Sequence, residues 1–295
     1  MPRRALSATR AADVLNFLAA HPGESFSYSQ IAQRLAINLA STHNLLIALS
    51  ECGYLKRNPE DRHFSLGPAL VAIGDAALRG HRAIEETRRA MRELSREQNA
   101  ETLAFVRAGT DAFCVARAGP SAGPGRTVQV GQRIPMMAPL SSVFFAWASD
   151  DEVERWLLRG GAPRREQKRQ REILRQVRER GYSVALEVAE RRQLGDLLVA
   201  LADNPRSETL PREMREIIQE LGLGPYQLDE ESRAPLRIST LTAPIFDAHG
   251  QVDLSLTLQV YRDDLTPSGL HALGKSLLAT TESIARASAA VSGEG

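Results

Sequence analysis

The stretch FSYSQIAQRLAINLASTHNLLIALSECGYLKRNPEDRHFSL, residues 26–66, decides how the first part of this 295-residue chain folds. Its apolar residues fall twice at helical spacing. Ile31, Ala32 and Leu35 make the inner face of a short helix, Ser29 to Leu35, that follows Ser27. Leu45, Leu46 and Leu49 do the same for a helix from Ser41 to Cys52, with Gly53 as its stop and Ala36 to Leu39 as the turn between the two. Tyr54 to Arg57 and Arg62 to Leu66 then read as strands, because Asn58-Pro59-Glu60-Asp61 between them has the chemistry of a type I turn. Upstream, Leu6, Val14, Leu15 and Leu18 recur at helical spacing until His21-Pro22-Gly23 stops them. Helix, helix, turn, helix, hairpin is the order of a winged helix-turn-helix, which places its last helix in the major groove of DNA.

That helix carries no basic residue, so its hydrogen-bonding groups must do the reading. Ser41, Thr42, His43 and Asn44 cluster at its start. An Asn amide suits adenine through a paired donor and acceptor, and Ser and Thr suit phosphate or, for Thr, a thymine methyl. Ser41 equally suits a helix cap. The charges lie around the helix. Residues 1–66 hold seven basic groups (Arg3, Arg4, Arg10, Arg34, Lys56, Arg57, Arg62) against five acidic ones. Phosphate contacts supply most non-specific affinity, so Arg10 on the arm side and Arg57 and Arg62 on the wing are assigned to the DNA backbone or minor groove. A module with so small a surplus binds weakly alone. Two modules on a palindrome gain from effective concentration, which makes a dimer the expected form.

Working outward, Gly67-Pro68 opens a linking helix that Gly80-His81-Arg82 interrupts, and an amphipathic helix with Ile84, Met91 and Leu94 follows. From Glu101 the pattern becomes strands: Thr102 to Val106, Ala112 to Ala116 and Thr127 to Val130, with a flexible loop at Gly119 to Gly125. Pro139 to Trp147 reads as the start of a helix. Asp150 begins another, and Pro163 to Arg180 a third, ending at Gly181. In that third helix the run Arg164 to Arg171 is expected as the solvated face, with Ile173, Leu174 and Val177 buried. Ser183 to Val188 reads as a strand, Ile238 to Phe246 and Val252 to Tyr261 as a hairpin around Asp247-Ala248-His249-Gly250, and Thr266-Pro267 as the start of a last helix. The sum is α+β: an antiparallel sheet with flanking helices.

Four stretches, in order, resemble the IclR family of bacterial transcription regulators. They are Ala36 to Leu55, through His43, Leu45, Leu46, Leu49 and Gly53-Tyr54-Leu55; His63 to Gly67; Val130-Gly131-Gln132-Arg133-Ile134-Pro135; and Ala243-Pro244-Ile245-Phe246-Asp247 with Gly250. The resemblance implies a winged helix-turn-helix over 1–67, a linker helix over 68–82 and a GAF-like effector-binding domain over 83–295, in a homodimer or a dimer of dimers. It also implies that effector binding tilts the linker helix. The chain departs from the family in three places: Ser142-Val143 stands for Gly-Lys, Asn44 stands for the usual Arg, and Ala189 to Arg237 reads as an inserted helical hairpin. Leu197, Leu198, Leu201, Ile217, Ile218 and Leu221 of that hairpin need burial, which favours a subunit contact.

By the same resemblance the pocket walls are Met136, Met137, Leu140, Ser141 and Ser142, then Thr240 and Thr242, then Thr257 and Gln259 on the facing strand. Alternate strand residues share a face, so each of the last two pairs can point inward together. None of these is an acid or a base. A carboxylate would be held by hydroxyls, the Gln259 amide and backbone N–H groups near Leu140 to Ser142. Met136 and Met137 suit an irregular apolar body, so an apolar or aromatic acid is the expected effector. Leu103 and Phe105 are expected in the core.

Composition bounds the rest. A net charge of +1 says nothing about nucleic acid by itself. Two cysteines, Cys52 and Cys114, have neither metal spacing nor a disulfide framework, which fits a reducing cytoplasm. The opening MPRRALSATR has no apolar core after its basic residues, and no apolar run is long enough to span a membrane. An enzyme would need a nucleophile such as Ser141 or Ser142 with His249 or His271 as base, but the chain has no G-x-S-x-G, no phosphate loop and no metal spacing. An adaptor that keeps the helix-turn-helix for protein contacts is the other alternative. The expectation is a cytoplasmic, cofactor-free regulator that binds double-stranded DNA.

Overall fold

A computed structural model describes residues 5–120, 128–161, 163–205, 207, 209–223 and 236–292. Arg3 and Arg4, most of the expected Gly119–Gly125 loop, Thr127, and the last part of the expected insertion (224–235) lie outside the described residues. The chain divides into two compact units, Met1–His81 with Leu198–Pro211, and Arg82–Leu197 with Arg212–Gly295.

In the first unit, α1 (Leu6–Ala19), α2 (Tyr28–Arg34) and α3 (Leu39–Glu51) precede the strands β1 (Leu55–Arg57) and β2 (Phe64–Leu66). The start of α2 is fixed by a reciprocal cap: Ser27 Oγ accepts from the Gln30 N–H and Gln30 Oε1 accepts from the Ser27 N–H. The cap of α3 is Asn38, whose Oδ1 accepts from the Ser41 N–H at 2.8 Å, so α3 begins two residues earlier than its sequence predicts and Ser41 is no cap. Val14, Phe17, Ile31, Leu35, Leu46, Leu49, Leu55 and Phe64 close the core. The hairpin returns so tightly that a Cβ on Gly67 would lie 2.3 Å from the Gly53 carbonyl oxygen, which only glycine permits. Arg62, expected to open a strand, instead sits at φ 61 in the turn, and β2 begins at Phe64.

The tip of the expected insertion belongs to this unit. His21 Nε2 lies 2.7 Å from Asp203 Oδ1 and Nδ1 lies 2.7 Å from the Phe17 carbonyl oxygen. Arg34 donates to the Asp203 carbonyl at 3.3 Å while lying over the Phe17 and Phe26 rings. The helix α4 (Ala69–Gly80) completes the unit, with Val71 and Ile73 exposed.

The second unit is a six-stranded antiparallel sheet in the order β5-β4-β3-β8-β7-β6. Its strands are β3 (Glu101–Ala108), β4 (Asp111–Ala118), β5 (Arg133–Pro135), β6 (Ser183–Leu186), β7 (Leu236–Phe246) and β8 (Val252–Leu265). The strand expected at Thr127–Val130 is not formed among its described residues, which lie in a loop and turn before β5. Asp247 Oδ1 accepts from the His249 and Gln251 N–H groups and so sets the β7–β8 turn. One sheet face, through Leu241, Ala243, Leu254, Leu256 and Leu258, packs with α5 (Arg82–Gln98) and α10 (Pro267–Ser292). The other meets a second core of Leu103, Phe105, Phe144, Phe145, Trp156, Leu174 and Val177, from the strands, α6 (Asp150–Gly160) and α7 (Arg164–Arg180). Pro139–Trp147 does not start an α-helix; it holds a three-residue 3-10 turn, Ser142–Phe144, entered through Ser141 at φ 61. The helices α8 (Ala189–Asp203) and α9 (Leu210–Leu223) form in the expected insertion, and Leu198, Ile218 and Leu221 are buried within the single chain. Leu197, Leu201 and Ile217 are half-buried.

Candidate nucleic-acid interface and ligand cavity

The outward side of α3 presents Leu39, Ala40, His43, Asn44 and Ala48. Of the four residues expected at base edges, His43 and Asn44 are exposed and Ser41 is half-buried. Thr42 is a correction: it is fully buried, and its hydroxyl donates to the Asn38 carbonyl at 3.0 Å. It lies four residues before Leu46 and seven before Leu49, on their stripe, so it cannot reach a groove. Tyr28, at the first position of α2, meets the His43 ring edge-on at 6.0 Å and is 42% exposed. Sequence reading passed it over, although the Ser27 cap marks where it must fall. On the hairpin Arg57 and Arg62 are exposed, with Arg57 lying over the Phe64 ring at 5.8 Å. Arg10, on α1, is half-buried. An amide and an imidazole on α3, a phenol at the start of α2 and two guanidiniums on the hairpin form a donor and acceptor set of the kind a duplex groove requires.

The second unit holds a cavity of about 100 Å³ bounded by the Pro139–Val143 turn, α7, β6 and β7. Of the residues expected to form a pocket, Leu140, Ser141, Ser142, Thr240 and Thr242 line it. Four others do not. Met136 is sealed in the core at 1% exposure, and Met137 lies off the lining. Thr257 stands behind Thr242, their hydroxyls 2.9 Å apart, and Gln259 is buried opposite Thr240 on the neighbouring strand. Four polar residues that sequence reading missed do line the cavity: Gln170, Arg180, Ser183 and Arg191. Gln170 was read as part of a solvated face, yet it is 1% exposed and Glu166 is 8% exposed. Both continue the stripe of Ile173, Leu174 and Val177 at helical spacing, which was the available signal. Arg180 lies over the Tyr182 ring at 5.7 Å, and Arg191 Nε donates to the Leu186 carbonyl at 3.2 Å.

Elsewhere in this unit Glu101 is fully buried beside Arg117, which donates to it through Nε and to Gln129 Oε1 at 3.1 Å. Burial raises the Glu101 carboxyl above its ordinary range, and Arg117 opposes that rise. The Cys114 thiol is pushed up to about 12 by burial. Among the described residues no three His, Cys, Asp or Glu side chains gather as a metal site, and no helix is long and apolar enough to cross a membrane.

Residues 7–59 match the IclR helix-turn-helix domain. Those residues are an IclR-type helix-turn-helix domain. The fold of the chain resembles that of several solved structures. An IclR transcriptional regulator from Alicyclobacillus acidocaldarius is 19% identical, with a TM-score of 0.68 over 96% of this chain and 99% of that one. Pseudomonas aeruginosa HmgR is 21% identical, with a TM-score of 0.62 over 95% and 97%. An IclR homologue from Microbacterium hydrocarbonoxydans, solved with 4-hydroxybenzoate, is 17% identical, with a TM-score of 0.61 over 95% and 99%. No curated protein matches the sequence. The expected α+β architecture, a helix-turn-helix followed by an antiparallel sheet with flanking helices, is therefore the one this chain has.

Proposed function

We propose that this chain is an IclR-type regulator that binds palindromic double-stranded DNA as a homodimer, or a dimer of dimers, in the cytoplasm, and that a small organic acid in the second unit's cavity alters that binding. The observation that carries the reading is the outward set of His43, Asn44 and Tyr28 beside Arg57 and Arg62. Asn44 reads adenine, and the two arginines neutralise phosphates. The exposed Val71 and Ile73 of α4, 73% and 48% accessible in the single chain, support a second copy covering them. The solved neighbour that holds 4-hydroxybenzoate supports an organic acid as the class of effector. The acid shifts the balance between two states only by binding one of them better. A mobility-shift assay on the DNA upstream of the protein's own coding region, with and without Asn44→Ala, tests the reading. Wild type binds at nanomolar to micromolar concentration and the variant loses sequence preference. Failure of the folded wild-type protein to retain any duplex at low salt overturns it.

A further inference from the structure

The outward face of α3 lacks two groups suited to bases and carries one that folding does not use. It has no arginine or lysine, so the paired bonds that these residues make to guanine N7 and O6 are missing from it. Thr42, whose type suits a thymine methyl, is buried and bonded within its own turn. The unused group is Leu39, which is 54% exposed. The start of α3 is fixed without it. Asn38 caps the first turn through its side chain, and Ile37, just before the cap, is buried in the core with Leu35 and Leu46.

A single exposed leucine is ordinary on a protein surface; position sets this one apart. Leu39 is the first residue of α3, and in a helix-turn-helix the first residues of the second helix are the ones that meet base edges. It stands four residues before His43, on the same side of the helix. Ala40, Asn44 and Ala48 make the neighbouring row, all three exposed and four residues apart. The two alanines leave the Asn44 amide prominent and let the helix lie close to a groove floor. On base edges in the major groove the apolar group on offer is the 5-methyl of thymine, while the Asn44 amide pairs with adenine N6 and N7. Five residues separate Leu39 from Asn44, about 7.5 Å along the helix axis, or about two base-pair steps of about 3.4 Å.

We infer that Leu39 reads a thymine 5-methyl group within about two base pairs of the adenine that Asn44 contacts, so that each half-site is selected through A·T pairs. The inference rests on the reading of this unit as a DNA reader and narrows it to the base. Deoxyuridine in place of thymidine removes that methyl and keeps every hydrogen-bonding group of the pair, so it isolates the contact. Fluorescence anisotropy with the full-length protein tests it on the upstream duplex, each thymidine replaced in turn. At the responding position one replacement weakens wild type about fourfold, the factor that burial of one carbon supplies, and replacement in both halves of a palindrome about fifteenfold. The loss is the same at about 50 and about 200 mM salt, because the contact involves no phosphate. Leu39→Ala binds the thymidine duplex at least about fourfold more weakly than wild type and no longer distinguishes it from the deoxyuridine duplex. The substitution is at an exposed position and alanine favours the helix, so the fold is kept, and light scattering gives both proteins the same mass. The inference is overturned by a scan in which no thymidine responds, or by a response that survives Leu39→Ala. A smaller mass for the variant also overturns it, by assigning Leu39 to a contact between copies. Wild type that retains no duplex at all removes the DNA reading and this site with it. Duplex binding that answers to Asn44→Ala but not to deoxyuridine removes the role of Leu39 alone.

Discussion

Replacing Arg117 by Met isolates the cost of one buried carboxylate. Glu101 opens β3 at 0% exposure, and Arg117, a quarter exposed, is its charged partner. Methionine keeps the apolar stem of the side chain and removes the charge. Removing one member of a buried pair costs about 3–5 kcal/mol, because the remaining charge is stranded. The partial exposure of Arg117 places this case near the lower end, about 3 kcal/mol at neutral pH. The sign of the pH dependence follows from the carboxyl. Burial already raises Glu101 above its ordinary range in the folded chain, and loss of Arg117 raises it further. A group with a raised folded value favours folding most strongly below its unfolded value, and that contribution is lost as pH rises through the folded value. Arg117→Met is therefore closest to wild type at about pH 5 and furthest below it at about pH 7.5. Both tryptophans, Trp147 and Trp156, lie in the second unit, so their fluorescence during urea unfolding reports that unit alone. Glu101→Gln added to Arg117→Met removes the stranded charge and recovers most of the loss at about pH 7.5. An equal loss at both pH values, or a double variant no more stable than the single one, refutes the reasoning.

Three further outcomes are expected. Arg57→Ala and Arg62→Ala each lower the slope of log affinity against log salt by about 1 per DNA-binding module, measured by fluorescence anisotropy on one duplex, with sequence preference unchanged. Asp203→Asn strips the charge from the group that faces His21 and Arg34 and lowers the first unit's stability by about 1 kcal/mol or less; calorimetric unfolding of the full chain checks this, and no change in the first unit's transition counts against the contact. A thiol reagent at about pH 8 modifies one cysteine per native chain and two per unfolded chain. Cys52 is exposed, whereas Cys114 is buried with its thiol pushed up to about 12.

What was legible in the sequence was local. The helix-turn-helix needs only the spacing of Ile31, Leu35, Leu46 and Leu49, and the hairpins need only turn chemistry at Asn58–Asp61 and Asp247–Gly250, whose strands pair as expected. The leucines of α8 and α9 likewise marked helices that form. What stayed hidden depends on partners distant along the chain. Arg180 and Arg191 reach one cavity from different helices on either side of β6, and no spacing rule links them. Met136 has the right residue type for an adaptable pocket wall, but the chain turns it into the core around Trp156. Asp203 joins the first unit although 169 positions separate it from Arg34.

Two of the misread residues failed in the same way, and the difference between them lies in their hydrogen bonds. Thr42 and Gln170 are polar residues on apolar stripes, and both were taken for solvent-facing because they are polar. Periodicity placed them correctly: Thr42 precedes Leu46 by four positions, as Gln170 precedes Leu174. Burial of a polar group is costly unless its hydrogen bonds are made. The Thr42 hydroxyl makes its bond within one turn, to the Asn38 carbonyl, so the threonine is complete inside the reader and has nothing left to offer a ligand. The Gln170 amide is completed on one side only, by Glu166, and its buried oxygen has no partner among the described residues. Polarity on a buried stripe is thus ambiguous until the hydrogen bonds are counted, and the count makes Thr42 a complete core residue and leaves Gln170 with an unmet acceptor beside the cavity.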